Sequence, residues 1–206
     1  MEQTIARLKR LFLEEWKTLL MVNVLFTIAS LPILTVGPAL LAMNGVLTRV
    51  ADDRSGCACW AEFWNVFKAK FWRGIQLEVI GGAYLFTVLW SGAVAQRLDT
   101  AGQTAMWLCL SLSVFLAAMV SVYLVPLLAD SDLPFFRCLW NGVLLSFVRL
   151  PRTLLAMAAV YGLLYLFVLL YPVSVLPYAM LVLAVAAAIS TAVVWPAVNE
   201  LIFKTL

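Results

Sequence analysis

Thr18 to Thr48 reads TLLMVNVLFTIASLPILTVGPALLAMNGVLT, a run without one charged side chain that breaks in its middle between Pro32 and Pro38. A run of that length belongs in hydrocarbon, where every backbone polar group must be satisfied internally and helices are the means of doing so. It is longer than the roughly 20 residues one span needs and shorter than two full spans. Pro32 and Pro38 lack a backbone donor and Gly37 tolerates unusual dihedrals. The reading is therefore a tight hairpin of two short helices, with Pro38 opening the second and that second helix a candidate re-entrant segment.

The rest of the composition agrees. The 206 residues are 65% hydrophobic and 12% charged, with a mean hydropathy of +1.00. One integral membrane domain, residues 1–206, is the expectation. A net charge of +3 gives no field for nucleic acid, and Lys and Arg are better read for orientation. The chain has no histidine, which removes the commonest metal ligand and general base together. No nucleotide loop, catalytic triad or carboxylate pair is present, so neither an enzyme nor a cofactor or metal site is expected. Cys57, Cys59, Cys109 and Cys138 form no disulfide framework, and Cys57-Ala-Cys59 reads as a pair of reduced cysteines. The first apolar run is too long for a cleavable signal.

Outward from the hairpin, Ile5, Leu8, Leu11, Phe12, Trp16 and Leu19 fall at helical spacing, an amphipathic lead-in along the interface. After the polar loop Arg49 to Cys59, the positions Trp60, Phe63, Trp64, Phe67 and Phe71 share one helical face, with Glu62, Ala69 and Arg73 opposite. Spans follow at Gly74 to Gln96 and Ala101 to Ala129. A second polar stretch, Asp130 to Arg152, carries the stripe Phe136, Trp140, Val143, Leu144 and Phe147. The uncharged run from Thr153 to Asn199 is divided at Tyr171-Pro172 and Leu176-Pro177 into two further spans. The fold class expected is all-α: a polytopic transmembrane helical bundle of five to six membrane elements plus amphipathic interfacial helices.

An offset of about 76 residues lays Trp64 and Asn65 over Trp140 and Asn141, and Arg73 over Arg149. An internal repeat, 60–96 and 136–171, follows from it, against the alternative that interfaces favour aromatic residues in any case. With six elements and the amino terminus inside, every Lys and Arg except Arg97 lies on the inner side. That arrangement places both termini in the cytoplasm and the break from Leu31 to Ala39 near the outer surface. If Thr18 to Thr48 is one span instead, five spans remain.

Two polar side chains stand inside the apolar runs. Glu78 reads either as a proton or cation site, or as a carboxylate about one turn into its helix, favoured there by the dipole and by Arg73. The second reading is preferred. Asn23 reads as a packing amide, placed to bond carbonyls freed by the Pro32 break or to line a polar path.

Asn23, then LPILTVGPALLAM with Thr35, Gly37, Pro38 and Ala39, then FWNVFKAKF from Phe63 to Phe71, together resemble the YesL-like family of bacterial membrane proteins, domain of unknown function 624. The likeness is densest from Asn23 to Phe71 and weaker beyond Ala129. It implies a multi-pass protein of the bacterial plasma (inner) membrane associated with carbohydrate uptake, and supplies no catalytic or binding residues to carry over. Two function classes follow: an accessory or permease-like component of carbohydrate uptake, whose partner is a transporter subunit or other membrane protein, and a stand-alone structural or lipid-organising protein. In the first, the two interfacial helices lie parallel to the inner surface as paired docking elements, with Asn65 and Asn141 on their polar backs.

Overall fold

A computed structural model describes residues 16–51, 59–169 and 185–192. The amphipathic lead-in before Trp16, Cys57, most of the polar loop and the Tyr171 to Pro177 turn lie outside the described residues. All regular structure among the described residues is helical: α1 (Trp16–Ala29), a 3-10 turn (Ile33–Thr35), α2 (Val36–Ala51), α3 (Cys59–Ala69), α4 (Phe71–Ala95), α5 (Thr100–Asp130), α6 (Phe135–Val148) and α7 (Leu150–Leu169), with a further helical stretch at 185–192.

Two helices, Phe71–Ala95 and Thr100–Asp130, are long and apolar enough to cross a membrane, and a third crossing is reached if α6 and the start of α7 count as one span broken by a 105° bend. Their outer surfaces carry Val79, Leu85, Phe86, Leu89, Trp90, Leu108 and Leu112, all strongly exposed. Side chains of that kind over two long helices form far more apolar surface than a water-soluble monomer leaves open, and hydrocarbon is the medium that suits them. Of the five to six membrane elements expected, two or three are long enough to cross among the described residues. The helices α1 and α2 of the hairpin are shorter apolar helices, and at 1.5 Å per residue each extends only about 20–25 Å, less than the hydrocarbon core of about 30 Å.

The short helix α2 is nonetheless the centre of the molecule. From Gly37 to Thr48 every residue except Leu40 is buried. On one side Val22, Leu25 and Phe26 of α1, Phe63 and Val66 of α3 and Ala187, Ala188 and Ala192 close over it; on the other Leu41 joins Val122, Leu127 and Leu128 of α5. Its pairing with α3 and α4 is antiparallel, for Arg49 meets Glu62, Gly45 lies against Val66, and Gly37 against Gly74.

The α5 helix carries Pro126 in its interior, and a proline there removes the donor that Val122 C=O would otherwise receive. Ser190 Oγ replaces it, donating to that carbonyl at 3.1 Å. The α6 helix turns back and runs antiparallel along the C-terminal half of α5. Ser146 Oγ donates to Met119 C=O at 3.1 Å, Gly142 lies against Val120, and Cys138 Sγ is 3.3 Å from Ser131 Oγ. Thr153 holds the bend that follows, bonding Ser146 C=O, Arg149 C=O and the Tyr123 hydroxyl, each at 3.1 Å.

The two aromatic helices have different surroundings. α6 follows a candidate span instead of standing across it, with Phe136, Trp140 and Phe147 facing outward. On α3, Phe63, Val66 and Glu62 are the buried residues, so Glu62 belongs to the packed face that the sequence had opposite it. The residues aligned by the repeat also play different parts. Trp64 packs edge-on against Phe63 and Phe67 with ring centres 5.8 and 5.2 Å away, whereas Trp140 is exposed; Asn65 is exposed, whereas Asn141 is half-buried. The hydrogen-bond ladder passes from α3 into α4 through Lys70 N–H to Val66 C=O and Gly74 N–H to Lys70 C=O, both at 2.9 Å. The corresponding bonds are present at Arg149, Arg149 N–H to Leu145 C=O at 3.1 Å and Thr153 N–H to Arg149 C=O at 3.0 Å, where α6 and α7 bend by 105°.

Candidate functional site: the keyed hairpin and its charged collar

The hairpin tip is built to survive without water. Pro32 leaves the last carbonyls of α1 short of donors. Thr35 Oγ1 reaches both Ala29 C=O and Pro32 C=O, Ser30 Oγ donates to Thr27 C=O at 3.1 Å, and Leu31 N–H to Ile28 C=O at 3.4 Å. Thr35 therefore does what the sequence assigned to Asn23. The break is set by Pro32 and Thr35, while Pro38 is the third residue of α2 and not its first. Its missing donor costs nothing there, since the first-turn N–H groups have no intrahelical partner.

The tip then locks onto α4. Gly37 N–H donates to Glu78 Oε2 at 3.0 Å. Beside this bond the backbones of Gly37, Pro38 and Gly74 meet so closely that a Cβ on Gly37 would fall on the Gly74 carbonyl, and one on Gly74 on the Pro38 backbone and ring. Glu78 is not in the first turn of α4, which holds no acidic residue. The positive helix end it serves is that of α2, 41 residues away in the chain. A carboxylate here satisfies an orphan donor and sits at the favourable pole of a half-length helix. Glu78→Leu should cost about 2 kcal/mol, by leaving the Gly37 donor unmet, and Glu78→Gln, which keeps an acceptor, less than half of that. Thermal unfolding of the detergent-purified variants checks both, and equal losses would show that the bond to Gly37 is not what counts.

Arg73 does not pair with Glu78. It donates to Ser131 C=O and Asp132 C=O at the end of α5, joined by Lys70 Nζ, which bonds Ser131 C=O at 2.9 Å and Asp132 Oδ1 at 2.8 Å. Two cations on the last carbonyls of a long helix complement its negative end. The Lys70 ammonium, with Arg73 beyond it, holds the Asp132 carboxyl below its ordinary range. A depressed carboxylate pKa means that this link is fully present above the usual carboxylate range and is lost as pH falls through the lowered value. Arg49 and Glu62 pair at 2.9 Å nearby. Arg49, Asn65, Lys70, Asp130 and Asp132 surround a polar recess of about 300 Å³ at this end of the bundle.

Glu78 stands eight residues beyond Lys70 on a nearly continuous helix, about 12 Å. The break thus lies at the Arg73 end of α4 and not towards the Arg97 turn.

Asn23 is 1% exposed, and neither its Oδ1 nor its Nδ2 has a hydrogen-bond partner among the described residues. The structure brings Thr35, Gly37, Pro38 and Glu78 together and places Asn65 and Arg73 at the collar. Trp64 belongs to the α3 aromatic cluster, and Trp140, Asn141 and Arg149 stand apart on α6 and at its end. Gly74 and Ser190 escaped the sequence reading, and Lys70 was read there only for orientation. Gly74 alone left a signal, as a glycine one residue after an arginine at the head of a span. Among the described residues no group of three or more Cys, Asp or Glu is placed to hold a metal ion.

Residues 19–91 match the family described as "Protein of unknown function, DUF624". The matched segment takes in the hairpin, the Gly37–Gly74 clasp and the collar residues Arg49, Glu62, Lys70 and Arg73, and over it the family resemblance is borne out. No curated protein and no solved structure matches the chain.

Proposed function

We propose that this is a multi-pass plasma-membrane protein that acts as an accessory or permease-like component of carbohydrate uptake and engages a membrane or cytoplasmic partner through its charged end. The supporting observation is the collar: Arg49, Glu62, Lys70, Arg73 and Asp132 gather at one end of an otherwise apolar bundle, around a recess to which Asn65 contributes. By the positive-inside rule that end faces the cytoplasm. A surface with both charge signs and a concavity suits a polar partner, whereas surface ion pairs of this kind add little to stability. The link to carbohydrate rests on the family resemblance alone, and the second half of the chain completes the remaining crossings in this reading.

Asn65 now stands alone as the docking residue, since Asn141 lies on α6. Asn65→Glu, which adds a charge to an exposed position in the recess, should lower capture of a co-purifying protein from mild detergent at least severalfold. The protein's own yield and melting temperature should be unchanged. Unaltered capture would favour the lipid-organising reading. That alternative has its own observation in a groove of about 570 Å³ between α4, α5 and α6, lined almost wholly by apolar side chains such as Leu77, Ile80, Leu116 and Phe147.

A further inference from the structure

A further cavity of about 280 Å³ lies between α2, α5, α7 and 185–192, beside Val122, whose carbonyl Pro126 deprives of its helical donor. Among the described residues its wall is mostly apolar, with Asn44, Ser121, Tyr161 and Ser190 as the polar groups and no ionisable acid or base beyond the tyrosine. What those groups have left to offer can be counted. Asn44 is 2% exposed, and its Nδ2 donates to Leu40 C=O at 2.9 Å, which fixes the orientation of the amide and leaves Oδ1 without a donor among the described residues. Ser190 donates its proton to Val122 C=O at 3.1 Å. Ser121 donates its own to Ala118 C=O at 2.8 Å, so in its 2.6 Å contact with Tyr161 the phenol is the donor. Apart from the second amide hydrogen of Asn44, every proton on these groups is committed, and what faces the cavity is oxygen lone pairs.

The geometry points to this cavity as a binding site for a small, uncharged, polyhydroxylated solute. An occupant has to bring hydrogen-bond donors, because the wall supplies acceptors. It has to be neutral, because among the described residues no carboxylate lines the cavity to compensate a cation taken from water, and an anion would meet lone pairs. It has to be small, because drug-sized ligands fill pockets of about 300–1,000 Å³. A mainly apolar cavity with a few convergent polar groups, between the helices of a bundle, is where small-molecule sites are built. The inference deepens the permease-like part of the proposed function by naming its solute class, and stands apart from partner docking at Asn65.

The test is equilibrium binding of radiolabelled glycerol, erythritol and glucose to the full chain in lipid nanodiscs, with tetramethylammonium and inorganic phosphate as charged probes. At least one neutral polyol should bind saturably and neither charged probe should. Asn44→Leu should weaken that binding at least tenfold and Tyr161→Phe severalfold, while partner capture through Asn65 stays intact. Should Asn44→Leu fail to fold, Tyr161→Phe at the rim of the cavity decides. No saturable polyol binding, which would mean an occupant of water or lipid only, overturns the inference. So does binding that both substitutions leave unchanged, or preference for a charged probe. Loss of partner capture in Asn65→Glu with polyol binding retained would touch the docking reading and not this one.

Discussion

A Gly74→Ala protein should lose about 3 kcal/mol of stability, the upper part of the range for forcing a methyl group into a filled space. The added carbon would fall on the backbone nitrogen and Cα of Pro38, and neither can rotate away as a side-chain tip would. Pro38 itself is held, because the Gly37 N–H next to it is bound to Glu78 and Thr35 ties the preceding turn to α1. The same methyl at Gly81 or Gly82 has open space around it, nothing standing within 4 Å. There alanine should raise stability by up to about 1 kcal/mol, through helix propensity alone. Thermal unfolding of the three variants in one detergent is the measurement, and the opposite signs are the point. If Gly74→Ala melts with Gly81→Ala, the helices do not cross at this glycine pair and the hairpin is not clasped to α4. Gly37→Ala should repeat the loss from the other side, against the Gly74 carbonyl.

That clasp also shows how far the sequence could be read. The break between α1 and α2 was legible because proline acts locally: it deletes a donor wherever it stands. Glu78 was visible as a costly group, but its partner is 41 residues away and belongs to a helix pole that exists only after the hairpin has docked. The aromatic stripes misled for a reason peculiar to lipid. In water, an apolar face is a buried face; in hydrocarbon, buried and exposed faces are equally apolar, and periodicity cannot choose between them. Phe63 is 0% exposed and Phe136 76%, although both occupy comparable stripes. The better marker was small side chains. Cys138, Gly142 and Ser146 recur every four residues on the face of α6 that meets α5, as close packing of membrane helices requires. Ser190 follows the same pattern of remoteness as Glu78. A carbonyl freed at Val122 by Pro126 is predictable, but the hydroxyl that serves it comes from 68 residues further on.

Asn23→Leu should stabilise the protein, by about 1–3 kcal/mol, and raise its melting temperature. The amide is enclosed on α1 among the apolar side chains that pack against α2, and both of its polar atoms lack partners. Each unmet group in such surroundings carries most of its desolvation penalty, whereas leucine has nearly the same volume and nothing to satisfy. Asn23→Asp should act in the opposite direction and more strongly, because a carboxylate there has no cation facing it among the described residues. A residue whose removal strengthens the fold is kept for something other than the fold, so the melting temperature has to be read beside partner capture and polyol binding. A gain in stability with loss of either activity makes the amide part of that activity. A gain with both intact makes it an unneeded polar group on a packed helix. A fall in stability would mean that the amide is hydrogen-bonded in the membrane, by water or by a bound molecule, and that the bare hairpin is not the state in which the protein works.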